Sequence, residues 1–248
     1  MSVTDCVRNH DSNARISTGK SVGVGGAGID TLRGRTALIT GASRGLGAAI
    51  AKTFWERGAS LMLVARSVQA LEDLAAGLSE CSGQSVFTLT ADLSDPGTPE
   101  RIVAEARQRF DSLQVLVNNA AVQGPIGPLW ENDWQAWQAA LQVNLLATLA
   151  LCRLCVPWMA QHGYGKIVNL SGGGGTGPRA NFSAYSAAKA ALIRFSETLA
   201  EEVRHLNIHV NCVAPGAMDT AMLAAVLAAG PQAAGQKEYA QAMKARES

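Results

Sequence analysis

The chain has 248 residues, 48% of them hydrophobic, which suffices for one large α/β domain with a sizeable core. Its 21 lysines and arginines nearly balance 20 aspartates and glutamates. No long Lys/Arg run occurs, so a nucleic-acid partner is not expected, and no uninterrupted apolar run reaches the eighteen or so residues of a membrane span.

Residues 1–33 are rich in Ser, Gly, Asn and Asp, lack a hydrophobic period, and read as a disordered leader. Gly23-Val-Gly25-Gly-Ala-Gly28 matches a dinucleotide motif in letters only. Such a motif binds pyrophosphate when a strand precedes it and a helix follows, and here the flanks are polar. Gly19-Lys20-Ser21 lacks the upstream glycine of a P-loop.

From Arg35 the pattern becomes strand, turn, helix, repeated. Thr36–Thr40 reads as a strand, followed by the turn Thr40-Gly41-Ala-Ser-Arg-Gly45-Leu-Gly47 and a helix to about Arg57, ended by Gly58. Leu61–Ala65 is a second strand and Val68–Leu78 a second helix. Ser85–Thr90 is a third strand, and a helix starts at Pro99 and runs to Phe110. Val115–Val117 is the fourth strand. A long helical stretch follows from Glu131 to about Gln161, with a kink expected near Pro157. Lys166–Leu170, a helix over Ala184–Leu206, and His209–Val213 complete the series. Alternating elements with apolar strands predict a doubly wound, Rossmann-like parallel sheet covered on both faces. Residues 34–248 are read as one dinucleotide-binding catalytic domain, with a substrate lid at about 217–235.

In such sheets ligands bind at the carboxyl ends of the strands. Glycines 41, 45 and 47 let the backbone approach a pyrophosphate at a helix N-terminus. Asp92 follows the third strand and suits an adenine amino group. Asn118-Asn119-Ala120 follows the fourth. Asn144 is a polar residue inside the apolar run Leu141–Leu151, either a helix-packing hydrogen bond or a functional group. Ser171 and four glycines follow the fifth strand, and Pro215-Gly216 the sixth. Tyr185 and Lys189 stand four residues apart, on one helix face. A cation beside a phenol favours the phenolate, which makes Tyr185 a general acid/base candidate near neutral pH.

The five cysteines are scattered. Cys152-Arg-Leu-Cys155 has C-x-x-C spacing, but it lies in an apolar helical stretch without a second pair, so two packed thiols are expected rather than a metal or redox site. Reduced thiols and the lack of a signal-peptide pattern predict a cytoplasmic protein.

Taken together, Thr40-Gly-x-x-x-Gly-x-Gly47, Asp92, Asn118-Asn-Ala120, Asn144, Ser171, Tyr185-x-x-x-Lys189 and Pro215-Gly216 resemble the short-chain dehydrogenase/reductase family, in the branch of the 3-oxoacyl-acyl-carrier-protein reductases. The resemblance covers about Gly34 to Met222. It implies hydride transfer between a nicotinamide cofactor and a carbonyl or secondary alcohol. Tyr185 would be the proton donor and Lys189 would lower its pKa and bind the nicotinamide ribose. A serine would orient the substrate oxygen, and Asn144 would hold a relay water. The implied cofactor set is Gly41, Ser43, Arg44, Gly45, Leu46, Gly47, Arg66, Asp92, Leu93, Asn119, Ala120, Tyr185, Lys189, Pro215, Gly216, Met218 and Thr220. The family also implies a homo-oligomer, dimer or tetramer.

Two departures stand out. Thirteen residues before Tyr185, where this branch places its serine, stands Gly172. Ser171, Thr176 or Ser183 takes the serine role, or the role is missing, and Ser171 is the favoured reading. Only 32 residues follow Gly216, where the family has a further helix and strand needing roughly 25–30 more. An unpaired sheet edge is therefore expected.

The end of the second strand selects the cofactor. Val64-Ala65-Arg66 carries no carboxylate for a ribose 2′-hydroxyl, and Arg66 with Arg44 suits a 2′-phosphate, so NADP(H) is expected over NAD(H). The alternative to an oxidoreductase is a weak or inactive nucleotide-binding member of the same fold.

Overall fold

In the computed structural model the described residues are 16–18, 32–78, 83–216 and 221–247. The strands are β1 (Ile16–Thr18), β2 (Thr36–Thr40), β3 (Ser60–Ala65), β4 (Val86–Thr90), β5 (Val115–Asn118), β6 (Gly165–Leu170) and β7 (Ile208–Ala214). They form one parallel sheet in the order β4-β3-β2-β5-β6-β7-β1. The helices are α1 (Gly45–Glu56), α2 (Val68–Ala76), α3 (Thr98–Arg109), α4 (Trp134–Leu141), α5 (Ala147–Gln161), α6 (Ser183–Glu202), α7 (Ala221–Ala234) and α8 (Gln236–Glu247).

Side chains alternate along a strand, so each central strand feeds two cores. Ala37 and Ile39 of β2 pack with α1 and α2 through Ala51, Trp55, Leu71 and Leu74. Leu38 faces the other way, into a core with Ile102 of α3, Leu151 and Trp158 of α5, and Leu199 of α6. All five residues of β2 and all four of β5 are buried. That double coverage is why these strands read as continuous apolar runs rather than alternating ones.

The long helical stretch departs from expectation. Its irregularity is not at Pro157, which lies inside α5, but in a π turn over Gln142–Leu146 that joins α4 to α5. The continuous stretch Trp134–Gln161 is 28 residues, long and apolar enough to cross a bilayer. Here Val143, Ala147, Leu151, Cys155 and Trp158 on one of its faces pack into the core against the sheet.

The edge beyond β7 is occupied. Ile16, Ser17 and Thr18 pair with Cys212, Val213 and Ala214, so the unpaired edge expected from the short carboxyl end is corrected over three residues. An exposed ladder of N–H and C=O groups accepts any extended segment that reaches it, and here part of the leader does so. The rest of the leader up to residue 31, including the Gly23–Gly28 motif, lies outside the described residues, as do Met218 and Thr220. After Gly216 the described chain is helical: α7 contains Gly230 at φ 74, and α8 follows Gly235 at φ 84.

Candidate active site

The chain runs from β2 outward to β3 and β4, then crosses back to β5 on the other side of β2. This reversal opens a crevice at the carboxyl ends of the strands. The structure has a cleft of 1230 Å³ there, lined at one end by the glycine turn, Arg44, Arg66 and Asp92, and at the other by Ser171, Tyr185, Lys189 and residues of α7 and α8.

The glycine turn is dictated by space. Gly41 and Gly45 have φ of 64 and 54, in the left-handed region. A Cβ on Gly47 would lie 2.2 Å from the Gly41 carbonyl oxygen. Asn119 donates from Nδ2 to the Thr40 and Gly41 carbonyls at 3.0 and 3.1 Å, and its N–H donates to Thr40 Oγ1 at 3.1 Å. Its amide thus ties β5 to the turn, while the residue still lines the cleft.

Arg44 precedes α1, Arg66 follows β3, and Ser43, Leu46, Leu93, Ala120, Pro215 and Gly216 line the same cleft. Asp92 accepts from the Ser94 N–H at 2.9 Å. That bond, with the Ser94 hydroxyl and Arg66, holds its carboxyl below the usual range against the opposing effect of burial. The α1 N-terminus, two arginines and an ionised Asp92 form a donor and acceptor set that fits a dinucleotide.

Asn144 is fully buried in the π turn. Its Oδ1 accepts from Val122 N–H and its Nδ2 donates to Val122 C=O, both at 2.8 Å. The side chain clamps the segment after β5 against the helix. Next to it Gln123 lines the cleft at 9% exposure, and its buried Nε2 has no partner. Sequence reasoning did not single out Gln123.

Tyr185 and Lys189 stand on one face of α6, both buried. Lys189 Nζ donates to the Leu170 carbonyl at 2.6 Å and lies 5.7 Å from the Tyr185 ring centre. Burial lowers its pKa to about 8. Burial also raises the Tyr185 phenol above its ordinary value, and the opposing pull comes from Arg179. The Lys189 ammonium thus stands between the Leu170 carbonyl of β6 and the Tyr185 ring.

Gly172 stands against Tyr185, so close that a Cβ there would lie 2.2 Å from Oη. Ser171 is buried and lines the cleft, and its hydroxyl donates to the Lys189 carbonyl at 3.5 Å. Ser183 is not beside the cleft, and its Oγ accepts from Trp137 Nε1 at 2.9 Å. Thr176 is exposed at the cleft wall. Cys152 and Cys155 are buried in α5. Burial pushes Cys152 up to about 12, although Asn118 and Asn169 pull it back, and Cys155 is also raised by burial. Neither is a thiolate at neutral pH.

The profile of the short chain dehydrogenases matches residues 35–229. The chain belongs to the short-chain dehydrogenase family. Nodulation protein G of Rhizobium sp. (strain N33) is 37% identical over 193 residues, 77% of this chain and 76% of the relative. The 3-oxoacyl-acyl-carrier-protein reductase FabG of Escherichia coli (strain K12) is 35% identical over 193 residues, 78% and 77% of the two chains. Among solved structures, a proposed NAD(P)-dependent gluconate 5-dehydrogenase of Beutenbergia cavernae, with NADP bound at low occupancy, superposes with a TM-score of 0.74 at 31% identity. That match covers 87% of this chain and 82% of the other. This short-chain dehydrogenase is an NAD(P)-dependent oxidoreductase acting on CH–OH/C=O, as its family and relatives require.

Proposed function

We propose that this protein moves a hydride between NADP(H) and a small carbonyl or secondary alcohol, with Tyr185 as general acid/base. The observation carrying the proposal is that Tyr185, Lys189, the glycine turn, Arg44 and Arg66 all line one cleft. In reduction, a dinucleotide held by the glycine turn, Arg44, Arg66 and Lys189 would supply the hydride for the carbonyl carbon. Tyr185 Oη gives its proton to the carbonyl oxygen, and a solvent proton restores the phenol. Lys189 holds the nicotinamide ribose. Ser171 orients the substrate oxygen, since its bond to Lys189 is at the long limit of a hydrogen bond and rotation toward the cleft costs little. Asn144 acts by holding Val122 and thereby the cleft wall.

Tyr185→Phe with NADPH and a panel of ketones, followed at the nicotinamide absorbance, tests the reading. The variant is expected to bind NADPH as the parent does and to lose roughly 10²–10⁴-fold in turnover. Retention of more than about a tenth of the parent rate refutes it.

Residues 1–33 are proposed as a leader that precedes the catalytic domain 34–248 and lends β1 to its sheet, and 217–235 as part of a lid continued by α8. Leu129, Trp130, Trp134 and Leu146 are exposed apolar side chains on and beside the α4–α5 stretch, 49–85% accessible. They support a homo-oligomer through these helices, which light scattering on the purified chain would check; the cytoplasmic location is proposed from the reduced thiols alone.

A further inference from the structure

The structure places one charged side chain beside Tyr185 that no motif of the sequence announced. Arg179 lies in the loop between β6 and α6 and lines the cleft. Its guanidinium stacks over the Phe182 ring at 3.8 Å and stands 5.8 Å from the Tyr185 ring centre. Its Nε donates to Glu238 Oε2 on α8 at 2.6 Å, with both side chains less than one-fifth exposed. Phe182 and Tyr185 share one apolar cluster with Val226 of α7 and Ala242 of α8. The two carboxyl-terminal helices therefore rest on the tyrosine, and the ion pair fastens α8 to the loop beside it.

We propose that Arg179 is a positioning residue for Tyr185, governed by Glu238, so that the ion pair sets how much cationic charge the phenol feels and couples seating of α8 to proton transfer. The inference rests on the proposed role of Tyr185. A guanidinium partly neutralised by a carboxylate pulls less on a nearby phenol than a free one. The charged groups on the elements about Tyr185 are Lys189 of its own helix, Arg179 of the loop, Glu238 paired with that arginine, and Lys237, which lines the same cleft from α8; α4 and α7 contain no ionisable residue. Lys189 and Arg179 stand 5.7 and 5.8 Å from the ring centre, the first also tied to the Leu170 carbonyl, the second pulling the phenol down against burial from the loop before α6. The arrangement makes the two partners act with opposite sign. Removing the arginine strengthens the hold of the phenol on its proton, and removing the carboxylate weakens it.

The test is the pH dependence of kcat/KM for the ketone at saturating NADPH, in reduction by the full chain, for the parent, Arg179→Met, Arg179→Lys, Glu238→Gln and the double variant Arg179→Met/Glu238→Gln. Reduction needs the protonated phenol, so its rate falls on the alkaline side. Arg179→Met should move that limb up by about one pH unit and Glu238→Gln should move it down by about half a unit. Arg179→Lys should stay near the parent, and the double variant should follow Arg179→Met. Should Arg179→Met fail to fold, Glu238→Gln and Arg179→Lys still decide. Limbs that move together, or do not move, overturn the proposal while a dead Tyr185→Phe leaves the underlying reading intact. An active Tyr185→Phe overturns that reading instead.

Discussion

Gly172 and Tyr185 touch: a Cβ built on the glycine would sit 2.2 Å from the phenol oxygen, well inside any real contact. Gly172 has extended backbone, φ −179 and ψ 175, so no conformational demand calls for glycine. Space alone does. Gly172→Ala is therefore expected to displace the phenol and reduce kcat/KM by roughly 10²-fold, on the scale of lost general acid catalysis. Cofactor affinity should change less, because the substitution leaves the glycine turn, Arg44 and Arg66 as they are. Steady-state kinetics with NADPH titration checks both; unchanged turnover would mean that the tyrosine works from elsewhere.

Ser171→Ala is expected to cost roughly 10–10³-fold in turnover, as loss of one donor to a developing oxyanion does. Thr176→Val serves as the comparison, since Thr176 also lines the cleft. A silent Ser171→Ala beside a damaging Thr176→Val would transfer the role.

Lys189 supplies a pH dependence of its own. Its pKa is lowered to about 8, chiefly by burial, so the side chain is an ammonium below that pH and neutral above it. Its contribution to ribose binding is present at pH 7 and is lost as pH rises through 8. KM for NADPH should rise up to roughly ten-fold between pH 7 and pH 9, following the charged fraction. Lys189→Met should show a high KM with that step removed. A parent KM that stays flat to pH 10 contradicts the assignment.

Arg66 and Arg44 border the end of the cleft at the glycine turn, and no carboxylate follows β3. If each arginine makes one charge-assisted bond to a 2′-phosphate, at about 1.5–3 kcal/mol and partly screened, the expected preference for NADP(H) is about ten-fold or more. Ala65→Asp with Arg66→Ala should move the preference toward NAD(H). Parent affinities within about three-fold of each other, measured by calorimetry, would rule the preference out.

Much of this protein was legible in its residues. The strands β2 to β7 and the helices around them announced themselves because a doubly covered parallel sheet needs apolar runs, and because Gly41, Gly45 and Gly58 adopt positive φ that other residues resist. The cleft followed, since strand-end residues converge wherever the chain reverses direction. Tertiary structure decided what depends on partners distant in sequence. Asn144 closes on Val122 in a π turn that helical periodicity conceals. Lys189 turns to Leu170, because a buried ammonium takes the acceptor packing offers it. Arg179 meets Glu238 across 59 positions, and three residues of the leader find the edge of β7. Spacing along the chain sets which residues share a face. Rotamer, burial and charge pairing depend on neighbours that only the folded chain brings together.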